Sequence, residues 1–420
     1  MSRIASLFIS LLALLIILLL LYETSSPSRL VKFKPRVHHA ISLTDQLSKA
    51  SNSLSVSSVD ASVFSSEAQS SIKNVQDTVK EMDGPVHVIV LARMRTGSTL
   101  CGEILNQNAN LFYLFEPLHA LKVLFNTSPD TSEEKRMAST ELLRKLYNCK
   151  FPRYFISSLS RWGIGKGKSH SVLPLCKQTD GCKLATPDMF QQVCEARGHV
   201  ALKAIRANIK MLKPLVKSFG INLKIIHLMR DPRGTANSRR SYYSPRDKKQ
   251  SNVSSNGEPS LKELELLSTS PKVSKNTVPK LCDWMRETLE DALEQPKWLK
   301  GRYKLIRYED LAKEPIRLSR DIYSFLGLDM PANVMSWVKE NTEDDDSHSK
   351  RQFSTHKNST QASTSWRNKL SIEDVFAVQR ICGDVMESLG YRKINSLSDL
   401  KNLSAPVVER IDIDKNIMLT

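Results

Sequence analysis

The sequence lacks the ligand spacing of a zinc site. It contains seven cysteines, but no two of them form a C-x-x-C pair, and the nearby His170 and His199 have no paired spacing either. Structural zinc sites depend on such closely spaced ligand pairs. The sequence therefore favours disulfides over zinc, and it predicts no metal site.

The cysteines are concentrated in one irregular stretch. Four of them lie where apolar residues show little periodicity, namely Cys149, Cys176, Cys182 and Cys194. Such a stretch is typical of an insertion that disulfides hold together in an oxidising compartment. The odd total leaves one thiol without a partner. We expect Cys101 or Cys382, both on predicted helices, to be a buried free thiol.

The N-terminal part of the chain has almost no aromatic residues after its first apolar run. Residues 4–22 form a predominantly apolar run without charged residues, about the length of a membrane span, and no good cleavage site follows them. They predict an uncleaved signal anchor, with residues 1–3 as a cytoplasmic tail. The serine-rich residues 23–84 predict an extended stem. The folded domain is expected at 85–393, and residues 394–420 are assigned to a C-terminal tail.

Two observations bear on membrane orientation. Four basic residues follow the apolar run, Arg29, Lys32, Lys34 and Arg36, and the positive-inside rule alone would place that side in the cytoplasm. Four N-x-[ST] triplets, at Asn126, Asn252, Asn358 and Asn402, lie in polar stretches and are glycosylation acceptors if the domain is lumenal. The triplets and the cysteines favour a single-pass type II protein. Apolar residues between Ala68 and Met82, spaced by 3 and 4, would allow a homo-oligomer through the stem.

Acidic residues are scarce relative to basic ones. The chain has 44 Asp and Glu against 61 Lys and Arg, a formal charge of +17. This excess indicates anionic partners or surfaces. Nucleic acid is one such partner, but a lumenal domain would not meet it. An anionic nucleotide and a polyanionic glycan would account for the same charge.

The first of two basic turns follows a predicted strand. Residues 86–91 are apolar and β-branched, typical of a strand buried on both faces. The turn at 93–99 (RMRTGST) then supplies one glycine, three hydroxyls and two arginines before a helical pattern begins. It can direct backbone N–H groups at a phosphate, although an ordinary strand-to-helix turn is an equally good interpretation. Because the turn lacks the G-x-x-x-x-G-K-[ST] pattern, Arg95 would replace the P-loop lysine.

A second basic turn strengthens the phosphate interpretation. Residues 222–229 predict another strand, which leads into RDPRGTANS at 230–238. Asp231 and Pro232 would open a helix, and Arg230 with Ser238 could converge on a second phosphate. Two such units favour a ligand with two separated anionic groups, such as a nucleotide with a 5′-phosphosulfate and a 3′-phosphate.

These residues resemble the sulfotransferases that use 3′-phosphoadenosine 5′-phosphosulfate (PAPS), and more narrowly the Golgi carbohydrate 6-O-sulfotransferases. RTGSTL at 95–100 is similar to the family's 5′-phosphosulfate loop, and RDPRGTANS at 230–238 to its 3′-phosphate element. Further similar segments follow in order: NQNANLFYLFEPL (106–118), HVALKAIR (199–206), WLKGRYKLIRYEDLAKEP (298–315), FSTHKNST with SWR (353–367) and LGYR (389–392). The resemblance runs from about residue 85 to the C-terminus and is strongest to the keratan-galactose and chondroitin branch.

The resemblance implies a set of donor-binding residues. For the 5′-phosphosulfate these are Arg95, Thr96, Gly97, Ser98, Thr99 and Leu100. For the 3′-phosphate they are Arg230, Asp231, Pro232, Arg233, Gly234, Thr235, Ala236, Asn237 and Ser238. Arg367, in the segment that closes over the nucleotide, is a further donor contact, whereas Trp366 could equally anchor that segment on the core.

Three residues are predicted to act in catalysis. Glu116 follows the strand predicted at 111–115 and would accept the proton of a sugar hydroxyl, with His119 as the runner-up. Lys203, in the strand predicted at 200–205, would stabilise the leaving phosphate, and Arg95 would contact the transferred group. Arg206 is assigned no role. The resemblance implies that Glu309 and Asp310 are structural and hold arginines of the phosphate loops.

The sequence thus predicts one lumenal α/β domain, a P-loop-like parallel sheet flanked by helices, behind a Golgi membrane anchor. A further strand is expected at 303–308, helices at 281–293, 315–326 and 371–389, and an inserted loop at 242–279 that lines the acceptor site. The predicted activity is metal-independent sulfuryl transfer from PAPS to the 6-hydroxyl of galactose or N-acetylgalactosamine, or of N-acetylglucosamine, in a glycan or proteoglycan. The alternatives are a nucleotide-dependent phosphotransferase and a glycan-binding protein without catalysis.

Overall fold

The computed structural model describes residues 84–126, 132–243, 277–342, 359–409 and 417–419. Within those ranges, no helix combines the length and the apolar character that a bilayer crossing requires. The anchor predicted at 4–22, the stem up to residue 83 and most of the predicted inserted loop lie outside the described residues. These three predictions therefore stay predictions.

The centre of the domain is a six-stranded sheet in the order β2-β3-β1-β4-β5-β6. The strands are β1 (His87–Leu91), β2 (Leu111–Phe115), β3 (His199–Ala204), β4 (Leu223–Met229), β5 (Tyr303–Arg307) and β6 (Met418–Leu419). Every neighbouring pair is parallel. The predicted parallel α/β sheet is confirmed, because each apolar run is long enough for a strand and is buried on both faces.

Helices cover both faces of the sheet. In chain order they are α1 (Ser98–Asn106), α2 (His119–Phe125), α3 (Glu133–Tyr147), α4 (Arg153–Arg161), α5 (Gly163–Gly167), α6 (Leu173–Gln178), α7 (Pro187–Glu195), α8 (Ile209–Lys217), α9 (Pro232–Tyr243), α10 (Thr277–Leu293), α11 (Tyr308–Lys313), α12 (Pro315–Leu326), α13 (Ala332–Thr342), α14 (Ser359–Thr364), α15 (Trp366–Lys369), α16 (Ile372–Ser388) and α17 (Leu397–Lys401). The predicted helices at 281–293, 315–326 and 371–389 are present with small differences in their ends.

The alternation of side chains along β1 divides the core into two layers. Ile89 and Leu91 face a cluster that includes apolar residues of α3, α8, α10 and α16. Val88 and Val90 face the opposite cluster, which includes residues of α1, α12 and α13. Successive side chains of a strand point to opposite faces, so one apolar run serves both layers.

The cysteine-rich stretch packs along the free edge of β2. Ser169 Oγ accepts the backbone N–H of Phe115 at 2.9 Å, and Ser171 Oγ accepts that of Tyr113 at 2.8 Å. These side chains replace a neighbouring strand and satisfy an edge that would otherwise be exposed. Disulfides hold the stretch together as predicted, and they join Cys149 to Cys194 and Cys176 to Cys182.

The prediction that Cys101 or Cys382 is a buried free thiol is confirmed for Cys101. Cys382 is not free, because it forms a disulfide with Cys282 that joins α16 to α10. Each cysteine lies on the apolar side of its own helix, so the sequence pattern indicates burial but not the partner on another helix.

Part of the predicted C-terminal tail belongs to the domain. Met418 and Leu419 of β6 pair with Leu305 and Ile306 of β5 and form the outer strand of the sheet. The backbone of Tyr391 also forms an antiparallel bridge with Val408. Short polar segments with few apolar residues gave no periodic signal for either contact.

We predict that replacing the long-range disulfide lowers stability. The double variant Cys282→Ala/Cys382→Ala removes a link between residues 100 positions apart in the chain. Loss of a native disulfide typically lowers the free energy of unfolding by about 2–5 kcal/mol. Urea unfolding of the purified full-length protein, followed by tryptophan fluorescence, measures the difference.

The same experiment in a strong reductant is the control. Because the parent then loses its own disulfides, parent and variant should unfold at similar urea concentrations. An unchanged midpoint under oxidising conditions would contradict the prediction.

Candidate active site

The first basic turn adopts a conformation that requires glycine at one position. Arg95 and Gly97 both have positive φ angles, 71° and 89°, so the chain reverses sharply between β1 and α1. A Cβ atom on Gly97 would overlap the ring of Tyr308. Thr96 Oγ1 donates to the carbonyl of Arg93 at 2.8 Å and closes the turn from inside. Only glycine therefore combines this backbone angle with this close contact.

The N-terminus of α1 opens toward the turn. No side chain caps the helix at Gly97, and its backbone bonds begin with the Cys101 N–H, which donates to the Gly97 carbonyl. In the described part of the chain, the N–H groups of Ser98, Thr99 and Leu100 have no acceptor. Unpaired N–H groups and the positive end of the helix dipole form a binding site for an anionic group. The predicted phosphosulfate loop thus has suitable donors.

The second basic turn lies against the first. Arg95 Nε donates to Ser238 Oγ at 2.9 Å, and one guanidinium nitrogen of Arg230 donates to the Arg95 carbonyl at 3.1 Å. Arg239 Nε donates to the carbonyl of Met94 at 3.2 Å. The structure therefore brings Arg95, Arg230 and Ser238 together in one site, with two cationic groups in neighbouring loops.

Arg230 is held as a buried cation with one free donor. Its guanidinium lies 4.4 Å from the centre of the Tyr308 ring and donates to the Ala362 carbonyl at 2.9 Å. Arg230 Nε is buried and has no hydrogen-bond partner among the described residues. A Cβ on Gly234 would lie 3.1 Å from Arg230 Nε, so glycine leaves room beside it. An unpaired donor on a packed cation is suited to an anionic ligand.

Two buried side chains in the second motif, Asp231 and Arg233, support the second basic turn. The fully buried side chains of Asp231 and Arg233 form an ion pair at 2.8 Å. Arg233 also donates to Gln379 and to the carbonyl of Arg392, and it lies 4.3 Å from the ring of Trp366. These bonds give Asp231 and Arg233 a structural role. The predicted contacts of Asp231 and Arg233 with the donor stay predictions.

The remaining residues of the second motif form the start of α9. They are Pro232, Gly234, Thr235, Ala236 and Asn237. The Thr235 N–H donates to the Asp231 carbonyl at 2.9 Å, and the side chains of Thr235 and Asn237 are buried. Their predicted contacts with the donor would have to come from this buried helix start.

Arg367 ties the closing segment to the C-terminal part of the domain. It donates to the carbonyls of Ala405 and Asp399 at 2.8 and 3.2 Å and is 1% exposed. The neighbouring Trp366 is equally buried and packs between Arg233 and Arg367. Trp366 therefore anchors the segment, and the bonds of Arg367 anchor it as well; the predicted contact of Arg367 with the donor stays a prediction.

Glu309 is structural, but it does not hold an arginine as expected. Its carboxylate accepts the backbone N–H of Asp231 at 3.2 Å and the hydroxyl of Tyr391 at 2.9 Å. Asp310 instead pairs with Arg307 of β5 at 2.5 Å. Burial, and next the Asp231 carboxylate, raise the pKa of Glu309 to about 7. Glu309 therefore supports the second loop through its backbone.

Glu116 lies at the carboxyl end of β2 between two cations. Its Oε1 pairs with Lys203 Nζ at 2.6 Å, and its Oε2 pairs with Arg206 at 2.8 Å. The two strands fix this contact, because the Glu116 N–H donates to the Lys203 carbonyl at 2.9 Å. The backbone of Glu116 is left-handed, with a φ of 49°, which turns its side chain toward β3. Glu116 and Lys203 are thus brought together as predicted candidates.

The charges in this cluster compensate for burial. Burial alone would raise the pKa of Glu116, but Lys203 and Arg206 outweigh it and the pKa is lowered. Burial lowers the pKa of Lys203, and Glu116 opposes that shift. Lys203 Nζ also lies 3.9 Å from the centre of the Phe115 ring. The group is an ionised, buried carboxylate with two cationic partners.

His119 lies in the same corner as a neutral imidazole. Its ring stacks on Trp162, with ring centres 3.9 Å apart, and its backbone N–H donates to the Glu116 carbonyl at 2.9 Å. Burial, then Arg206 and Lys122, lower its pKa to about 4. Beside it, a small pocket is bordered by Glu116, Phe155, Ser158, Leu159 and Trp162.

Comparison with known proteins identifies the class. The sulfotransferase domain family matches residues 85–390. Carbohydrate sulfotransferase 1 of Danio rerio is 32% identical over 77% of this chain and 82% of its own. Carbohydrate sulfotransferase 3 of Tetronarce californica is 32% identical over 85% of each chain. The chain belongs to the sulfotransferase family.

The resemblance seen in the motifs is therefore confirmed at the level of the family. With relatives of this kind along most of its length, the chain is a carbohydrate sulfotransferase enzyme. Among solved structures, the sulfotransferase domain from the Synechococcus PCC 7002 olefin synthase aligns over 74% of this chain and 96% of its own, with 16% identity and a TM-score of 0.41.

Sequence reasoning missed Arg206. It follows Lys203 by three residues just beyond the end of β3, and one of its guanidinium nitrogens reaches the same carboxylate. The signal that could have indicated Arg206 is the presence of two cations, Lys203 and Arg206, at the end of β3, opposite Glu116 at the end of β2. The pattern became visible only when the sheet order placed β2 beside β3.

We predict that Gly97→Ala destabilises the domain. The new Cβ would require a strained backbone angle and would displace Tyr308, which supports Arg230. A non-glycine residue in this region costs about 1–3 kcal/mol. Urea unfolding of the full-length protein measures the loss.

Gly383→Ala is the matched control. Gly383 lies in the middle of α16 with open space where its Cβ would stand. Alanine there should stabilise the protein by up to about 1 kcal/mol. Equal effects of the two substitutions would contradict the assigned geometry.

A second prediction concerns pH. Since the folded pKa of Glu309 is raised from 4.5 to about 7, its protonated form is favoured by folding. Its contribution to stability is full below about pH 4.5 and is lost as pH rises to about 7. Glu309→Gln imitates the protonated group, so its stability should not fall for this reason as the pH rises. Unfolding free energies of both proteins between pH 4 and 8 give the comparison.

The expected result is a difference, parent minus variant, that falls as pH rises through this window. Other groups, such as the buried His227, whose pKa burial lowers to about 3, titrate in both proteins and cancel. A difference that is flat with pH would contradict the raised pKa.

Proposed function

We propose that this enzyme transfers a sulfuryl group from PAPS to the primary 6-hydroxyl of galactose or N-acetylgalactosamine in a glycan, with N-acetylglucosamine as a third candidate. The observation that carries the proposal is the contact between the two basic loops, in which Arg95 bonds Ser238 and Arg230 bonds the Arg95 carbonyl. One ligand with two anionic ends can therefore engage both loops. PAPS has this distribution of charge.

The residues present fit both ends of the donor. The free N–H groups of Ser98, Thr99 and Leu100, with Arg95 beside them, would hold the 5′-phosphosulfate. Arg230, with its unpaired Nε, and Ser238 would hold the 3′-phosphate. Thr96 and Gly97 shape the first loop rather than add charge.

The chemistry assigned to the cluster at β2 and β3 is an in-line displacement. Glu116 accepts the proton of the sugar hydroxyl as its oxygen forms a bond to sulfur. The bond from sulfur to the bridging oxygen breaks, and adenosine 3′,5′-bisphosphate leaves. Lys203 stabilises the negative charge that grows on the bridging oxygen. Fixed cations balance this charge, so the proposal requires no metal.

The proposed setting is the Golgi lumen, with the chain anchored as a type II membrane protein. The disulfides at Cys149, Cys176 and Cys282 support an oxidising compartment. Two of the predicted glycosylation sites, Asn126 and Asn402, are exposed in the structure. A lumenal enzyme of this charge would meet glycans and proteoglycans as acceptors.

We predict that Glu116→Gln abolishes transfer and preserves donor binding. Gln cannot take the proton, so turnover should fall by at least about 100-fold. The test incubates full-length protein with sulfur-labelled PAPS and desulfated keratan or chondroitin, and disaccharide analysis locates the modified carbon. Calorimetric titration with adenosine 3′,5′-bisphosphate measures binding and reports correct folding.

Glu141→Gln is the control, since Glu141 lies on α3 in a surface pair with Arg144. Retained turnover in Glu116→Gln would remove Glu116 from the mechanism, and His119→Gln would then test the alternative acceptor. If the protein instead transfers a labelled phosphoryl group from ATP, it is a phosphotransferase. Glycan binding without transfer would indicate a binding protein.

A further inference from the structure

Glu116 has a separate cation for each carboxylate oxygen. Lys203 holds Oε1 and is 2% exposed at its side chain, whereas Arg206 holds Oε2 and is 17% exposed. The carboxylate is itself buried, so neither contact is screened by water to the extent of a surface pair. The arrangement differs from a simple ion pair because one partner can move away without leaving the carboxylate unpaired.

Lys203 has two tasks in the proposed reaction. It pairs with Glu116 in the structure, and it must also face the oxygen on which charge develops as the donor breaks. A lysine drawn toward that oxygen weakens its bond to Glu116. Without a second cation, burial would then favour the protonated form of Glu116, which cannot accept a proton.

We propose that Arg206 is a positioning residue for the sulfuryl transfer: it holds Oε2 of Glu116 in place while Lys203 serves the leaving group. The inference rests on the proposed function, since it assumes that Glu116 receives the proton. Arg206 acts through Glu116 and touches no reacting atom.

The backbone around Arg206 fits this task. The preceding residue, Ile205, accepts a hydrogen bond from Arg93 at 3.2 Å, which ties the end of β3 to the first basic turn. Asn208, two residues further on, caps α8 through the N–H of Met211 at 3.0 Å. Arg206 is therefore held between the phosphate loop and a helix start, and its distance from Glu116 depends on both.

The charged and titratable groups around Glu116 come from four elements. They are Lys203 and Arg206 at β3, His119 and Lys122 on α2, Tyr113 on β2, and Cys101 and Glu103 on α1. Burial raises the pKa of Cys101 to about 12 and that of Tyr113 well above its usual value, so both stay neutral near pH 7. His119 is a neighbour that also titrates at acidic pH, because its pKa is lowered to about 4.

The first test compares Arg206→Met with Arg206→Lys and the parent in the transfer assay. We expect kcat of the methionine variant to fall by about 10- to 100-fold. The acidic limb of its pH–rate profile should move up by about one to three pH units, because Glu116 loses a cation. Binding of adenosine 3′,5′-bisphosphate should not change. Lysine should restore the limb in part.

The second test does not require activity. In the parent, the lowered pKa of Glu116 contributes stability that is present above pH 4.5 and is lost as pH falls through the folded pKa. The unfolding free energy of Arg206→Met relative to the parent should therefore be lower at pH 7 than at pH 3. The same comparison, with and without Arg206→Met, is repeated in the Glu116→Gln background. It measures the part of the pH dependence that comes from the effect of Arg206 on His119, and this part is subtracted. Arg197→Met, at a half-buried arginine that donates to the Ala109 carbonyl, should show no pH-dependent difference.

The outcomes separate this inference from the proposed function. A parent that transfers no sulfate overturns the proposed function and with it the catalytic task of Arg206, whatever the unfolding data show. Transfer by the parent, with an unmoved acidic limb or a pH-independent stability loss in Arg206→Met, overturns the inference alone and leaves Arg206 as a packing residue.

Discussion

The parallel pairing of β1 with β4 sets the geometry of the active site. Leu91, the last residue of β1, is paired with His227 near the end of β4. The turns that follow the two strands therefore lie at the same edge of the sheet. Parallel strands all end at one edge, which is where ligands of α/β proteins bind. For this reason Arg95 can bond Ser238 although they are 143 positions apart. The turn after β2, with Glu116, opens at the same edge.

A second constraint is that charges buried at this edge need partners. Glu116 is bonded to Lys203 and Arg206, and Asp231 is bonded to Arg233. Glu309 differs, because its oxygens accept hydrogen bonds from the backbone N–H of Asp231 and from a tyrosine hydroxyl. The same burial therefore has opposite results: the pKa of Glu116 is lowered and that of Glu309 is raised. The number of direct cations decides which carboxyl group stays ionised.

The sequence predicted the features that depend on local pattern. Strands β1 to β5 could be located because each is a short, mostly apolar run, and Glu116 could be selected because it follows the end of one of them. Features that depend on packing between distant elements could not be predicted. The Cys282–Cys382 disulfide requires α10 to lie beside α16, and no spacing in the chain indicates that contact.

Side-chain direction at strand and helix ends was the other limit. Arg233 and Arg367 lie in motifs associated with the donor, yet the structure turns both into the core. Arg206, which had no assigned role, points back to Glu116. A residue just outside a regular element can take several directions, so its neighbours are known only when the sheet order is known.

The ring of Tyr308 has a consequence for how such sites can change over generations. Its edge meets Gly97 and its face lies under Arg230, so a single aromatic side chain is in contact with both basic loops. A bulkier residue at 97 would need a smaller one at 308, besides adopting a strained backbone angle, and that exchange would remove the surface beneath the arginine. Positions 97, 308 and 230 should therefore covary among related sequences, with Gly, Tyr and Arg kept or replaced together.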